Sequence, residues 1–430
     1  MTEAAAKKPR PTTLAIRIFQ VLLLGLGIGW AFTLSGEHLD QMQVPGFLIS
    51  LAISWWLTPE IRARAMKLGL VDKTADEGGE QRKIHKKAVP RLGGVAIYIS
   101  IVVTLVTTMA IGGRFPKEGG FAGIAAGGTL IFVLGLMDDL DGVPAKNKLV
   151  VQILAAMAAY SLGVRIEKNL PIPFEVHLPF INIPYIIRLG QFALPLTVVW
   201  LVGITNAVNL IDGMDGLAAG VSAIAAVTIW AVAMANTPLH THPAPYPALT
   251  AAIFAGALLG FLRWNFNPAR IFLGDSGAYL TGFVLGCIAI TGVMKVTTVV
   301  TVGLPLVILF FPLVDTSWAV VRRLAKRQSI FSPDAQHIHH RLLQTGMSQK
   351  SVAYVIYAIS GILGLFATAA VGQAALVLYI EIMACVLVMA LFFAEVLNRH
   401  RQRPGGSAPP DEPTLAEPAD VPSIQVPGDK

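Results

Sequence analysis

Apolar residues in this chain run solidly rather than alternating. Nearly uninterrupted apolar stretches lie at 14–34, 44–58, 92–111, 121–137, 149–164, 192–208, 217–235, 248–262, 279–294, 297–320, 352–370 and 374–397. A bilayer core takes about 20 apolar residues per helix. The pattern predicts an all-α polytopic membrane protein of about 11–12 transmembrane helices. A transmembrane β-barrel is excluded, because its strands would alternate apolar and polar positions. The segment 165–190 differs: Pro171, Pro173, Pro179 and Pro184 punctuate short β-favouring runs, and a small hairpin is predicted there.

Composition agrees with the pattern. Of 430 residues, 54% are hydrophobic and 14% charged, and the mean hydropathy is +0.64. A soluble domain carries roughly 25% charged residues. The net charge of +7 would point to nucleic acid in a soluble protein. Here the charge lies in loops, where it sets topology, and no nucleic-acid partner is expected. With the N-terminus inside and the spans alternating, 27 of the 33 Lys and Arg residues fall on the inner side. Both termini are therefore expected in the cytoplasm. Lys7, Lys8 and Arg10 ahead of 14–34 also fit a signal peptide, but the run is long and no A-x-A site follows, so a retained helix is expected. Cys287 and Cys385 both fall in apolar runs and support neither a disulfide nor a metal site. Three regions follow: a cytoplasmic segment with an extra helix (1–43), a membrane-embedded domain (44–397) and a tail (398–430) whose Pro, Gly and acidic content predicts disorder.

Candidate chemistry gathers in the inside loops. Asp138, Asp139, Asp212, Asp215 and Asp275 each stand where an apolar helix meets that surface. A single Asp-Gly is usually a cap or a turn. Five carboxylates on one face raise one another's pKa and call for a cation. Hard oxygen ligands with open positions suit Mg²⁺, with Mn²⁺ as a substitute. His337, His339 and His340 beside Arg341 suit phosphate binding or acid/base work. The run Arg82-Lys83-Ile84-His85-Lys86-Lys87 fits substrate contact, positive-inside topology or anionic lipid about equally. Gly93-Gly94 and Gly274/Gly277 allow close backbone approach, either to an anion or between helices.

Taken together these motifs resemble the polyprenyl-phosphate N-acetylhexosamine-1-phosphate transferases. The resemblance covers about 44–397 and rests on RKxH (Arg82, Lys83, His85), PRxGG (Pro90 to Gly94), the pair Asp138-Asp139, NxxNxxDGxDGL (Asn206 to Leu217), NPAxxFxGDSG (Asn267 to Gly277) and HIHHRLL (His337 to Leu343). It implies catalytic loops on the cytoplasmic side of a bacterial inner membrane. The implied donor is a UDP-sugar and the acceptor undecaprenyl phosphate among the membrane lipids; a second copy of the chain is a further partner it allows. Asp275 with Asp138 is implied for the metal. Asp138 or Asp139 is implied for the acceptor phosphate, as base or nucleophile. Asn209, Asp212 and Phe272 are implied for the uridine. Asp215, His337, His339, His340 and Arg341 are implied for phosphates or sugar. Asn206, Asn265, Lys86 and Lys87 complete the expected substrate-binding set. Pro-Arg-Leu-Gly-Gly and the spaced histidines look like the branch that starts O-antigen, common-antigen or teichoic-acid synthesis from UDP-GlcNAc. The alternative within the family is phospho-N-acetylmuramoyl-pentapeptide transferase. Asp72 departs from the family's Asp-x-Pro pattern, which leaves its role open. An alternative of another class is a secondary transporter with Asp315 on its ion path. It is disfavoured by carboxylates at the surface and by the lack of a repeat.

Overall fold

The computed structural model describes residues 11–34, 41–72, 88–112, 120–166, 169–171, 176–178, 181–183, 186–235, 245–293, 310, 313–314 and 342–370. The described part is helical: α1 (Pro11–Thr33), α2 (Gln43–Lys67), α3 (Gly93–Gly112), α4 (Phe121–Asp141), α5 (Ala145–Ser161), α6 (Ala193–Ile211), α7 (Leu217–Ala235), α8 (Pro245–Asn265), α9 (Gly274–Ile288) and α10 (Gln349–Ala370). Eight helices among the described residues are long and apolar enough to cross a bilayer. Most of the expected span 297–320 and all of 374–397 lie outside the described residues, as do Asp315 and Cys385.

Helices extend past the apolar runs that announced them. The run 44–58 becomes α2 to Lys67, passing through Pro59. The run 279–294 becomes a helix that starts at Gly274 and ends in a π-helical turn, Ala289–Val293. Hydropathy marks only the hydrocarbon slab, whereas backbone bonding carries a helix onward into the polar layer. At the other end of α5, the expected hairpin forms. Val176–Leu178 pairs with Ile181–Ile183, and Asn169–Pro171 pairs outside it with Ile186–Arg188, both antiparallel.

Small residues let the helices approach closely. Along the α2–α8 seam, Ser50 Oγ donates to Ile253 O (2.7 Å) and Ser54 Oγ to Ala257 O (2.6 Å). Ser100 Oγ of α3 donates to Ser50 O (2.8 Å). A side chain on Gly256 or Gly260 would strike the α2 backbone at Phe47 or Leu51. Small faces with interhelical hydrogen bonds are how helices associate where lipid removes the hydrophobic drive between them. Outward-facing Phe19, Leu22, Leu26, Val106, Val150 and Val199 are more than half exposed. Such an apolar belt is compatible with lipid as its solvent. By contrast, α9 is enclosed: every residue from Ser276 to Ile288 is buried. Its half-buried N-terminus lies at the end of the bundle where α4 and α6 finish.

Candidate active site

Two chain segments are laced together at the polar end. Phe272 N donates to Pro90 O (2.8 Å), Gly93 N to Phe272 O (3.0 Å) and Gly94 N to Leu273 O (2.9 Å). The Gly93 and Gly94 N–H groups are thus spent on protein carbonyls. Any Cβ on either would run into Phe272, Ser276 or Gly277. Of the two uses expected for this glycine pair, close packing is the one seen. Gly135 of α4 likewise lies against the Ser276 backbone. Three helices, α3, α4 and α9, therefore converge to backbone distance beside the carboxylates.

The adjacent aspartates at the end of α4 have different surroundings. The Asp138 carboxylate accepts from Val143 N (2.7 Å) and forms an ion pair with Lys148 of α5. It also stands close enough to the Asp275 carboxyl to raise that group's pKa. The Asp139 carboxylate instead accepts from Asp275 N (2.7 Å), Ser276 N (3.0 Å) and Ser276 Oγ (2.6 Å). The Asp275 carboxyl is raised to about 7, first by burial and then by the neighbouring Asp138 and Asp139. Asp212, in the loop after α6, is pushed well above the ordinary carboxylate range, first by burial and then by Asp275, Asp139 and Asp215. Arg91 stands in the same field and pairs with Asp72 at 2.7 Å, so Asp72 has a defined partner despite its atypical sequence context.

Other expected residues take defined places. Asp215 accepts from Asn267 Nδ2 (3.0 Å) and Ala269 N (2.9 Å), and Asn267 continues to Gln349 of α10 (2.6 Å). Asp215 thereby braces the loop that leads to Phe272 and Asp275. Asn265 Nδ2 closes the same loop on Ile271 O (3.0 Å). Asn206 is turned toward α5, where it bonds Gln152 (2.7 Å). Asn209 and Phe272 are half-buried. The structure thus brings Asp138, Asp139 and Asp275 into one contact group with Asp212 in its field. Lys86, Lys87, His337, His339, His340 and Arg341 lie outside the described residues.

Sequence reasoning missed Lys148, Ser276 and Tyr357. Lys148 had a readable signal. It sits in the first turn of α5, where the helix dipole disfavours a cation unless a neighbouring anion compensates. Tyr357 Oη donates to Gly216 O (2.6 Å) from α10, a contact over 141 residues that no local pattern announces.

The donor set fits a hard divalent cation. Neighbouring carboxylates repel unless a proton or a cation lies between them. Among the described residues no three His, Cys, Asp or Glu side chains close into a cage. Mg²⁺ usually takes one or two carboxylates and leaves its other positions to water and substrate phosphates.

The sequence profile described as glycosyl transferase family 4 matches residues 121–293. The chain is 36% identical, over 75% of its length and 84% of the relative's, to the probable undecaprenyl-phosphate N-acetylglucosaminyl 1-phosphate transferase of Bacillus subtilis. It is 32% identical, over 82% and 89%, to the decaprenyl-phosphate N-acetylglucosaminephosphotransferase of Mycolicibacterium smegmatis. It is 28% identical, over 76% and 98%, to the phospho-N-acetylmuramoyl-pentapeptide-transferase of Staphylococcus carnosus.

Proposed function

The chain belongs to glycosyl transferase family 4, and on that premise we propose that it transfers N-acetylglucosamine 1-phosphate from UDP-N-acetylglucosamine to undecaprenyl phosphate. UMP leaves. An oxygen of the lipid phosphate bonds to the sugar-bearing phosphorus of the donor, and the bond from that phosphorus to UMP breaks. The observation that carries this reading is the gathering of Asp138 and Asp139 at the start of α9 beside Asp275, where the apolar bundle meets its polar end. There a lipid-borne phosphate and a water-borne nucleotide can meet.

Asp275 and Asp138 would hold Mg²⁺, which when bound neutralises charge on the pyrophosphate. The other duties fall to the chain. Lys148 and Val143 N hold the Asp138 carboxylate in place. A carboxylate so held suits accepting the proton of the lipid phosphate better than attacking phosphorus, which would require it to leave those partners. Half-buried Phe272 offers a ring face and Asp212 an acceptor, which suits a uracil. His337, His339, His340 and Arg341 would close on the phosphates and sugar through charge-assisted hydrogen bonds. Little covalent help is needed, because phosphoryl transfer depends on alignment and charge neutralisation. The bias of 27 of 33 Lys and Arg supports a cytoplasmic site in a bacterial inner membrane. The product would then start a cell-envelope polysaccharide of the O-antigen, common-antigen or teichoic-acid type.

The test is UMP release by the purified protein from a donor panel with undecaprenyl phosphate. UDP-GlcNAc should turn over fastest. Faster turnover of UDP-MurNAc-pentapeptide would move the chain to the other branch, and no UMP from any donor would remove the reading.

A further inference from the structure

We propose that Asp139 is a positioning residue: its carboxylate caps α9 from outside that helix and so sets where Asp275 stands. The inference rests on the reading of Asp275 and Asp138 as the metal-holding pair. The start of α9 lacks a cap of its own. Leu273, at its N-cap, makes no side-chain capping bond, and a leucine has no oxygen to offer. The first N–H groups of a helix need acceptors, and ordinarily a local Ser, Thr, Asp or Asn supplies one. Here Asp139 supplies it from α4, with Oδ1 on Asp275 N (2.7 Å) and Oδ2 on Ser276 N (3.0 Å) and Ser276 Oγ (2.6 Å). An anion at that end is also favoured by the helix dipole.

The surroundings are shaped around this contact. Gly274 has φ +74°, and a Cβ there would stand 2.7 Å from Asp139 Oδ2 and would strike the Arg91 carbonyl. Gly135, one turn before Asp139 and on the same face of α4, lets that helix lie against the Ser276 backbone. Both Asp139 oxygens are committed, so acting on a substrate would break the cap that places Asp275. Asp138, also beside Asp275, instead accepts from Val143 N and pairs with Lys148. The adjacent aspartates therefore divide the work: one meets the chemistry and its neighbour holds the frame.

Asp139→Asn keeps one carbonyl acceptor and loses the second and the charge. Its affinity for Mn²⁺, read on purified protein by the loss of the free-ion EPR signal, should weaken about ten- to a hundredfold, as for residues that support metal ligands. At saturating Mn²⁺, kcat should stay within about threefold of the unaltered protein, because the chemistry-bearing groups remain. Ser276→Ala, which removes one of the three bonds, should shift affinity in the same direction by a smaller factor. The double variant should show less than the product of the two single effects, because both act through one cap. Ser276→Ala alone carries the test where Asp139→Asn does not fold. Collapse of kcat at saturating metal in Asp139→Asn, or unchanged Mn²⁺ affinity in whichever variants fold, would overturn the proposal. Failure of the unaltered protein to release UMP would instead remove the proposed reaction, and the Mn²⁺ readout would still decide the role of Asp139.

Discussion

The α2–α8 seam and the polar joint of α4 with α9 are built from the same materials and end in opposite states. Each brings helices together on glycine, Gly256 and Gly260 in the seam, Gly135 in the joint. Each uses short polar side chains across the gap. In the seam, the Ser50 and Ser54 hydroxyls find α8 carbonyls and no charge is present. In the joint, the Asp138 and Asp275 carboxylates are left in one another's field. Satisfied polar groups between membrane helices serve packing. Like charges held near one another by a rigid frame mark a place for a proton or a cation.

That contrast can be broken from either side. The largest effect is expected at Asp275. Asp275→Asn keeps the shape but removes the charge a cation needs, and UMP release should fall about a hundredfold or more while insertion is unchanged. A near-normal rate at low Mg²⁺ would mean that the neighbouring carboxylates are not a metal site.

Acidity should act more gently. The Asp275 carboxyl lies at about 7 against an ordinary 3.8. Its raised value means that the metal-free folded protein keeps a proton the unfolded chain gives up. Its stability therefore falls as pH rises from about 4 through 7. A cation binds the deprotonated form, so its affinity weakens as pH falls through about 7, by up to tenfold per unit for one proton. The thermal shift produced by Mg²⁺ should accordingly be larger at pH 8 than at pH 6. An equal shift at both would show that the joint does not exchange a proton for the metal.

The seam should respond with stability and little else. Gly260→Ala drives a methyl against the Leu51 and Trp55 backbone, and overpacking of that kind costs about 1–3 kcal/mol. Ser54→Ala removes one interhelical bond, worth about 0.6 kcal/mol in a membrane. Melting in detergent measures both, and turnover per folded molecule should be unchanged in each. A loss of turnover without a loss of stability would mean that the seam takes part in the reaction.

The amino-acid order alone was enough for the helical class and the place of each described span. Those follow from lengths of apolar sequence, a local property that lipid reads directly. It also singled out Asp138, Asp139, Asp212, Asp215 and Asp275 as a group, because carboxylates at the ends of apolar helices are scarce. It could not divide them. Asp138 and Asp139 are neighbours of one residue type, and only the packing of α4 on α9 turns one toward Lys148 and the other onto the Ser276 backbone. That Asp215 braces the loop through Asn267 and Ala269 was likewise decided by the fold. The Gly93-Gly94 pair could have served an anion or a helix, and tertiary hydrogen bonds to the Phe272 and Leu273 carbonyls decided that. Most of these decisions depend on which groups meet across more than 50 residues of chain. Hydrogen bonding is directional and short-ranged, so a carboxylate's role is set by the donors that reach it, and only the folded chain brings those donors there.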